Sequence, residues 1–212
     1  MKRVLEAIIL GLEARSSNYT SNDASNDGRR LFHGRGQCYQ GLGYINVDWF
    51  APVLLITLYQ EVEPQGWQQL LAGLGSLAGE IDCGIVQRRY LRGSPIETLF
   101  GELPEQPLAI EQELKFALSF AGKQNIGFFL DMSPGRQWLR ERAEGKRVLN
   151  LFSYTCSFSV AAMASNAKYV VNSDMSRAAL NVGRQNHCLN HQHDRLKRDV
   201  EFLPYDLFRS WK

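Results

Sequence analysis

The most constraining feature of this chain is an alternation in its last third. "RVLNLF" is followed by "SFSVAAMAS", then by "KYVVNSD", "SRAALNVGRQNHCLN" and "VEFL". Apolar runs of strand length separated by helix-length segments are what a parallel sheet requires, because only a long crossover returns the chain for a parallel partner. The expected fold there is α/β, part of a Rossmann-like, doubly wound sheet. Upstream, the pattern is different. "RRLFH", "YINVDWF", "VLLITLY" and "GIVQRRYL" are strand-like, with one helical stretch around 65–77, so a smaller α+β domain is expected. The expected segments are 1–28, an amphipathic helix (Val4, Leu5, Ile8, Ile9, Leu12) and a Ser/Asn/Asp-rich linker; 29–110, the α+β domain; and 111–212, the Rossmann-like part.

Composition narrows the class only a little. A net charge of +2, with 44% hydrophobic and 22% charged residues, suits a soluble globular protein and neither demands nor excludes nucleic acid. Cys38, Cys83, Cys156 and Cys188 are scattered, and with no signal peptide in view they read as reduced thiols in a cytoplasm. "VLEAIILGL" is too short to span a bilayer, so no membrane association is expected. The oligomeric state is left open, a dimer included.

In a parallel sheet, ligands bind beyond the carboxyl ends of the strands. The first such end, "NLFSYTCS", turns into a helix without any glycine. Its amides and the hydroxyls of Ser153 and Thr155 suit either a ligand or a helix cap. Asp174 ends the next strand, 24 residues beyond Asn150. A carboxylate there can accept both hydroxyls of a ribose, or cap the helix that follows. Asp206 ends the third strand, where it can accept from an adenine amino group. No "GxxxxGK[ST]" or "GxGxxG" is present, which points away from phosphates and dinucleotides. Cys156 and Ser157 are small, so the turn is expected to admit a nucleoside. His187 and His191 are a two-ligand pair at i,i+4 without a second pair nearby, so no metal is expected. Arginines beside aromatics, in "RRLFHGRG" with Tyr39 and in "QRRYLRG", suit RNA as well as solvated strand edges.

The run from "KQNIGFFLDMSPGRQW" through "KRVLNLFSYTCSFSV" to "VVNSDMSRAALNVGRQN" resembles class I S-adenosylmethionine-dependent methyltransferases. More narrowly, it is similar to the lineage containing the large-subunit ribosomal RNA cytosine-C5 and guanine-N7 methyltransferases. That resemblance implies S-adenosylmethionine as cofactor and an RNA base, ribosomal RNA foremost, as substrate. It implies cofactor contacts from Phe128, Asp131, Phe152, Tyr154, Thr155, Asp174, Met175, Asp206 and Leu207, with Lys123 a weaker candidate. The catalytic residue is not implied. Asn166 stands where that family usually has Gly, and Cys156-Ser157 where it has Gly followed by a small residue. The family's "(D/N)PP(F/Y/K)" acceptor loop is absent from the sequence, so the 212 residues are expected to be part of a longer protein or an abbreviated homologue, inactive alone, with an incomplete sheet whose edge strand is exposed or covered by a neighbour. The rival readings are a non-catalytic RNA-binding module that keeps the fold and a nicotinamide-dependent oxidoreductase.

Overall fold

The computed structural model describes residues 1–17, 26–36, 38–77, 79, 81–121, 124–191 and 193–209. Residues 18–25 of the expected linker, and Lys123, lie outside the described residues. The chain divides into two compact units, Met1–Glu113 with Ser119–Ile126, and Leu114–Leu118 with Gly127–Lys212.

The first unit is built on a mixed five-stranded sheet. Its strands are β1 (Arg29–His33), β2 (Ile45–Phe50), β3 (Val53–Leu58), β4 (Cys83–Arg88) and β5 (Ile96–Phe100), in spatial order β1-β2-β3-β4-β5. Only β3 and β4 are parallel, and they are joined through helix α2 (Pro64–Gly75). Strand β6 (Leu108–Glu111) follows the sheet in sequence. The N-terminal helix α1 (Lys2–Ser17) buries Val4, Ile8 and Leu12 in the same core as Val47, Ile56 and Val86, so it is part of this unit. Register explains that core: Val47 pairs with Ile56 and Ile56 with Val86, which puts all three on one face of the pleat. Helix α2 starts at Pro64, where no amide is needed, and Glu63 caps it by accepting from the N–H groups of Gln65 and Gly66 at 3.1 and 2.9 Å. Gly73 lets the helices close up; a Cβ there would lie 2.2 Å from a methyl of Leu5.

The second unit begins with β7 (Leu114–Ala117). A 3-10 turn at Leu130–Met132 follows and leads into α3 (Ser133–Arg140). After these come β8 (Arg147–Leu151), α4 (Ser157–Ala164), β9 (Tyr169–Asp174), α5 (Arg177–Asn190), α6 (His193–Asp199) and β10 (Val200–Pro204). The last three strands form the expected parallel sheet, in order β10-β9-β8. One face carries Val148, Val170 and Val200 against Leu139, Met163 and Ala162. The opposite face is open: on edge strand β8, Leu149 is 63% and Leu151 43% exposed. Asn166 ends α4 at φ 59°, the left-handed conformation that asparagine tolerates. Among the described residues no helix is long and apolar enough to cross a membrane.

Candidate functional site

Parallel pairing places the carboxyl ends of β8, β9 and β10 side by side, since Leu151 pairs with Ser173 and Asp174 with Pro204. The turn 152–156, Asp174 with Met175, and Asp206 with Leu207 follow those ends. Two N–H groups of the turn donate to the end of β9, one to the Asp174 carboxylate and one to the Ser173 carbonyl. Tyr154 N–H donates to Asp174 Oδ2 at 2.9 Å, and Ser153 N–H donates to the Ser173 carbonyl at 3.0 Å. Tyr205 N–H, at the third strand end, donates to the Asp174 carbonyl at 3.1 Å. Asp174 does not cap α5. Ser176 does, accepting from Ala179 N–H at 3.2 Å, while Asp174 Oδ1 accepts from Ser176 N–H at 2.8 Å. Each carboxylate oxygen therefore takes one amide and retains a second lone pair for a ligand.

The turn achieves its shape without glycine. Phe152, Tyr154 and Cys156 have φ of 52°, 47° and 63°, with Ser153 and Thr155 between them outside the positive region. Left-handed backbone costs a residue with a Cβ on the order of 1–2 kcal/mol, and strain of this kind collects at ligand sites. Thr155 anchors the turn from below. Its hydroxyl donates to the Gly127 carbonyl at 2.6 Å, and its carbonyl accepts from Asn186 Nδ2 at 2.8 Å. Asn186 Oδ1 in turn accepts from Ala117 N–H at 2.7 Å. Thr155 is thus a clamp between the turn, the segment before α3, and α5, and its hydroxyl, spent on Gly127, does not cap α4. Cys156 occupies the cap position of α4 and makes no side-chain cap bond.

Cys156 also corrects the expectation that its small side chain leaves room for a ligand. It is fully buried with Leu180 and Phe202, and a Cβ on Gly183 of α5 would lie 2.4 Å from its Sγ. Small size is required here by the packing of α5, and burial pushes the thiol pKa up to about 12. Ser159 and His187 lie in the same interior. The Ser159 hydroxyl donates to the Cys156 carbonyl at 2.9 Å and sits 2.8 Å from His187 Nε2. Burial, with His191 adding a smaller effect, pushes His187 down to about 3, so it is neutral near pH 7. No group of three or more His, Cys, Asp or Glu that could hold a metal occurs among the described residues.

A cleft of about 370 Å³ opens beside the turn, lined by Phe129, Met132, Arg136 and residues 150–154, with Ser157 and Phe158. Its aromatic wall is the pair Phe129 and Tyr154, ring centroids 5.4 Å apart. Phe152 stacks on Phe208 at 5.6 Å and is largely exposed, as is Met175. Asp206 accepts from the N–H groups of Phe208 and Arg209 at 3.0 and 3.3 Å, which curls the chain back beside Phe152.

Of the expected site residues, Phe152 and Tyr154 line the cleft; Asp174 is hydrogen-bonded to that lining. Phe128 does not reach it. Its ring stacks on Phe116 at 4.6 Å beneath the Arg136 guanidinium at 4.3 Å, in the interior. Phe129, 41% exposed, is the ring that faces outward. Its extended backbone, φ −117° and ψ 108°, explains the switch, because neighbouring side chains on extended chain point to opposite sides. Asp131 is exposed on the 3-10 turn. Nothing in the sequence pattern pointed to Met132, Asn150 or Phe158 as lining. Arg136 could have been suspected from its helical spacing behind "FFLD".

The model of a family described as S-adenosylmethionine-dependent methyltransferase matches residues 29–212. Ribosomal RNA large subunit methyltransferase I of Aeromonas salmonicida is 37% identical over 177 residues, covering 80% of this chain and 43% of that protein. The protein of the same name from Enterobacter sp. (strain 638) is 33% identical over 194 residues, covering 86% of this chain and 46% of that protein. The chain thus spans a little under half the length of these relatives. In fold, it is similar to a solved structure from Streptococcus mutans described as a proposed SAM-dependent methyltransferase. The TM-score is 0.80 at 23% identity, over 98% of this chain and 53% of that one.

Proposed function

The chain belongs to the S-adenosylmethionine-dependent methyltransferase family, and on that premise we propose that its second unit holds S-adenosylmethionine at the three strand ends, within a protein that methylates a base of ribosomal RNA. One observation carries the reading: the Tyr154 N–H to Asp174 bond ties the acid at the end of β9 to the lining of the cleft. The residues present fit the group. The lining is mainly aromatic and apolar, with Arg136, Asn150, Ser153 and Ser157 as its polar members, and its volume falls within the roughly 300–1,000 Å³ usual for small-molecule sites.

In this reading Asp174 accepts from the ribose hydroxyls with its remaining lone pairs, and Asp206 accepts from the adenine amino group. Phe152, Met175 and Leu207 cover the base. Phe129 and Tyr154 offer ring faces to a sulfonium, a contact worth about 0.5–2 kcal/mol. Asp131 lies toward the amino-acid end, with Arg136 the cation of the lining. Phe128 and Thr155 act from behind, holding Phe129 and the turn in place. When bound, the cofactor would supply an activated methyl group, passed to a base atom as the carbon–sulfur bond breaks and the neutral thioether leaves. The chain's own contribution is to hold reacting groups in line and to keep water from the aromatic wall. RNA as substrate, and a cytoplasmic location, rest on the ribosomal RNA relatives and on four free cysteines.

Calorimetric titration of the 212-residue chain with S-adenosylmethionine, S-adenosylhomocysteine and NAD tests the cofactor assignment. Saturable heat with the first two and none with NAD is expected. Heat with NAD alone, or with none of the three, would overturn it.

A further inference from the structure

The arginine clusters of the first unit are not used by the cleft, and the structure sorts them into two kinds. Some are committed to acids: Arg30 pairs with Asp48 at 2.7 Å, and Arg88 with Glu97 at 3.1 Å while lying 5.7 Å from the Trp67 ring centroid. Arg35 and Arg89 are different. Both lie over the ring of Tyr59, at 4.4 and 5.4 Å from its centroid, and Arg89 Nη1 donates to the Tyr59 hydroxyl at 3.5 Å. Among the described residues, no carboxylate is paired with either.

Topology brings these three together. β3 and β4 are parallel, so Tyr59 and Arg89 each follow a strand end on the same side of the sheet. β1 runs antiparallel to β2, and β2 antiparallel to β3, so Arg35, just past β1, joins them at that side. Arg89 N–H donates to the Leu58 carbonyl at 2.8 Å, and Tyr59 N–H to the Tyr44 carbonyl at 2.8 Å, which fixes the backbone beneath both side chains. Exposed Arg92 lies in the same connection as Arg89.

Two guanidinium groups converging on one ring repel each other, and among the described residues neither is ion-paired with a carboxylate. The arrangement suits an anion with regularly spaced charges. Guanidinium groups donate N–H bonds to phosphate oxygens and stack on the face of an unpaired base. We propose that the Arg35–Tyr59–Arg89 end of the first sheet is a docking surface for single-stranded RNA, with phosphates held by the two arginines. The proposal rests on the RNA reading given above and extends it to a surface that the cofactor cleft does not use.

The test is fluorescence anisotropy with a 5′-labelled single-stranded RNA of 12 nucleotides over a salt series. The 212-residue chain is compared with the double variant Arg35→Ala/Arg89→Ala and with Arg198→Ala, which removes one arginine already paired with Asp199 at 2.8 Å. The double variant should bind at least 10-fold more weakly, and its salt slope should be shallower by about 1.4, for two phosphates at roughly 0.7 each. Arg198→Ala should lose less than 2-fold. Melting temperature and S-adenosylmethionine binding should be unchanged in the double variant, which separates this surface from the cleft. RNA binding by the parent chain with equal affinity in the double variant overturns the surface and leaves the function standing. No RNA binding by the parent chain overturns the surface and counts against the RNA reading together. Poly-glutamate binding as tightly, with the same loss on substitution, overturns the assignment to RNA in favour of acidic proteins.

Discussion

The five-stranded and the three-stranded sheet are covered to different degrees. In the first unit, all six residues of β3 are buried. In the second, β8 alternates between exposed and half-buried, and its outward face shows Leu149 and Leu151 to solvent. A strand buried at every position is a framework whose side chains are all constrained by neighbours. A strand covered on one face leaves the other free, and here the constraint is moved to its end, where hydrogen bonds from Tyr154 and Ser153 tie it to β9. The first sheet is held mainly by packing; the candidate site on the second is held mainly by backbone polar bonds and a strained turn.

The contrast can be broken most forcefully in the cores. Ile56→Ala in β3 removes a fully buried side chain and should cost about 2–5 kcal/mol. Leu149→Ala in β8 should cost under about 1 kcal/mol, because that side chain is already in water. Chemical denaturation of both variants checks this, and similar losses would show that β8 is covered in solution. Next in size is Cys156→Leu. Forcing a larger side chain against Gly183 should destabilise the second unit by about 1–3 kcal/mol. A fully stable variant that merely loses ligand affinity would return Cys156 to the cleft.

A further prediction is an acid dependence. His187 has a folded pKa of about 3 against an ordinary 6.5, so between those values the unfolded chain binds the extra proton. Stability contributed by the neutral, buried imidazole is full above pH 6.5 and falls as pH drops toward 3, by up to about 1.4 kcal/mol per pH unit. His187→Gln should flatten that slope between pH 6 and pH 4 in denaturation curves. An unchanged slope would show that other groups dominate.

The architecture of the second unit was legible because strand and helix periods differ and the alternation was regular. Asp174 was legible too, since spacing alone placed it at a strand end. The side to which a residue points was harder to read. "FFLD" is too short for its parity to be set by pattern, and only the core formed by Phe116 and Arg136 shows that Phe128 turns inward and Phe129 outward. Likewise, nothing local says that Thr155 spends its hydroxyl on Gly127, 28 residues earlier, or that Cys156 is small to suit a glycine on α5. Those are tertiary constraints, invisible until the segments meet.

The central claim is that Asp174 serves the cleft as well as the turn. Calorimetry of Asp174→Asn with S-adenosylmethionine tests it directly. The amide oxygen keeps an acceptor for the Tyr154 N–H, while its NH2 faces the Ser176 N–H and gives up that bond, so the melting temperature should fall by a few degrees with the variant still folded. Affinity should fall by about 1.5–3 kcal/mol, the worth of a hydrogen bond to a charged group. Unchanged affinity in a folded variant would contradict the account.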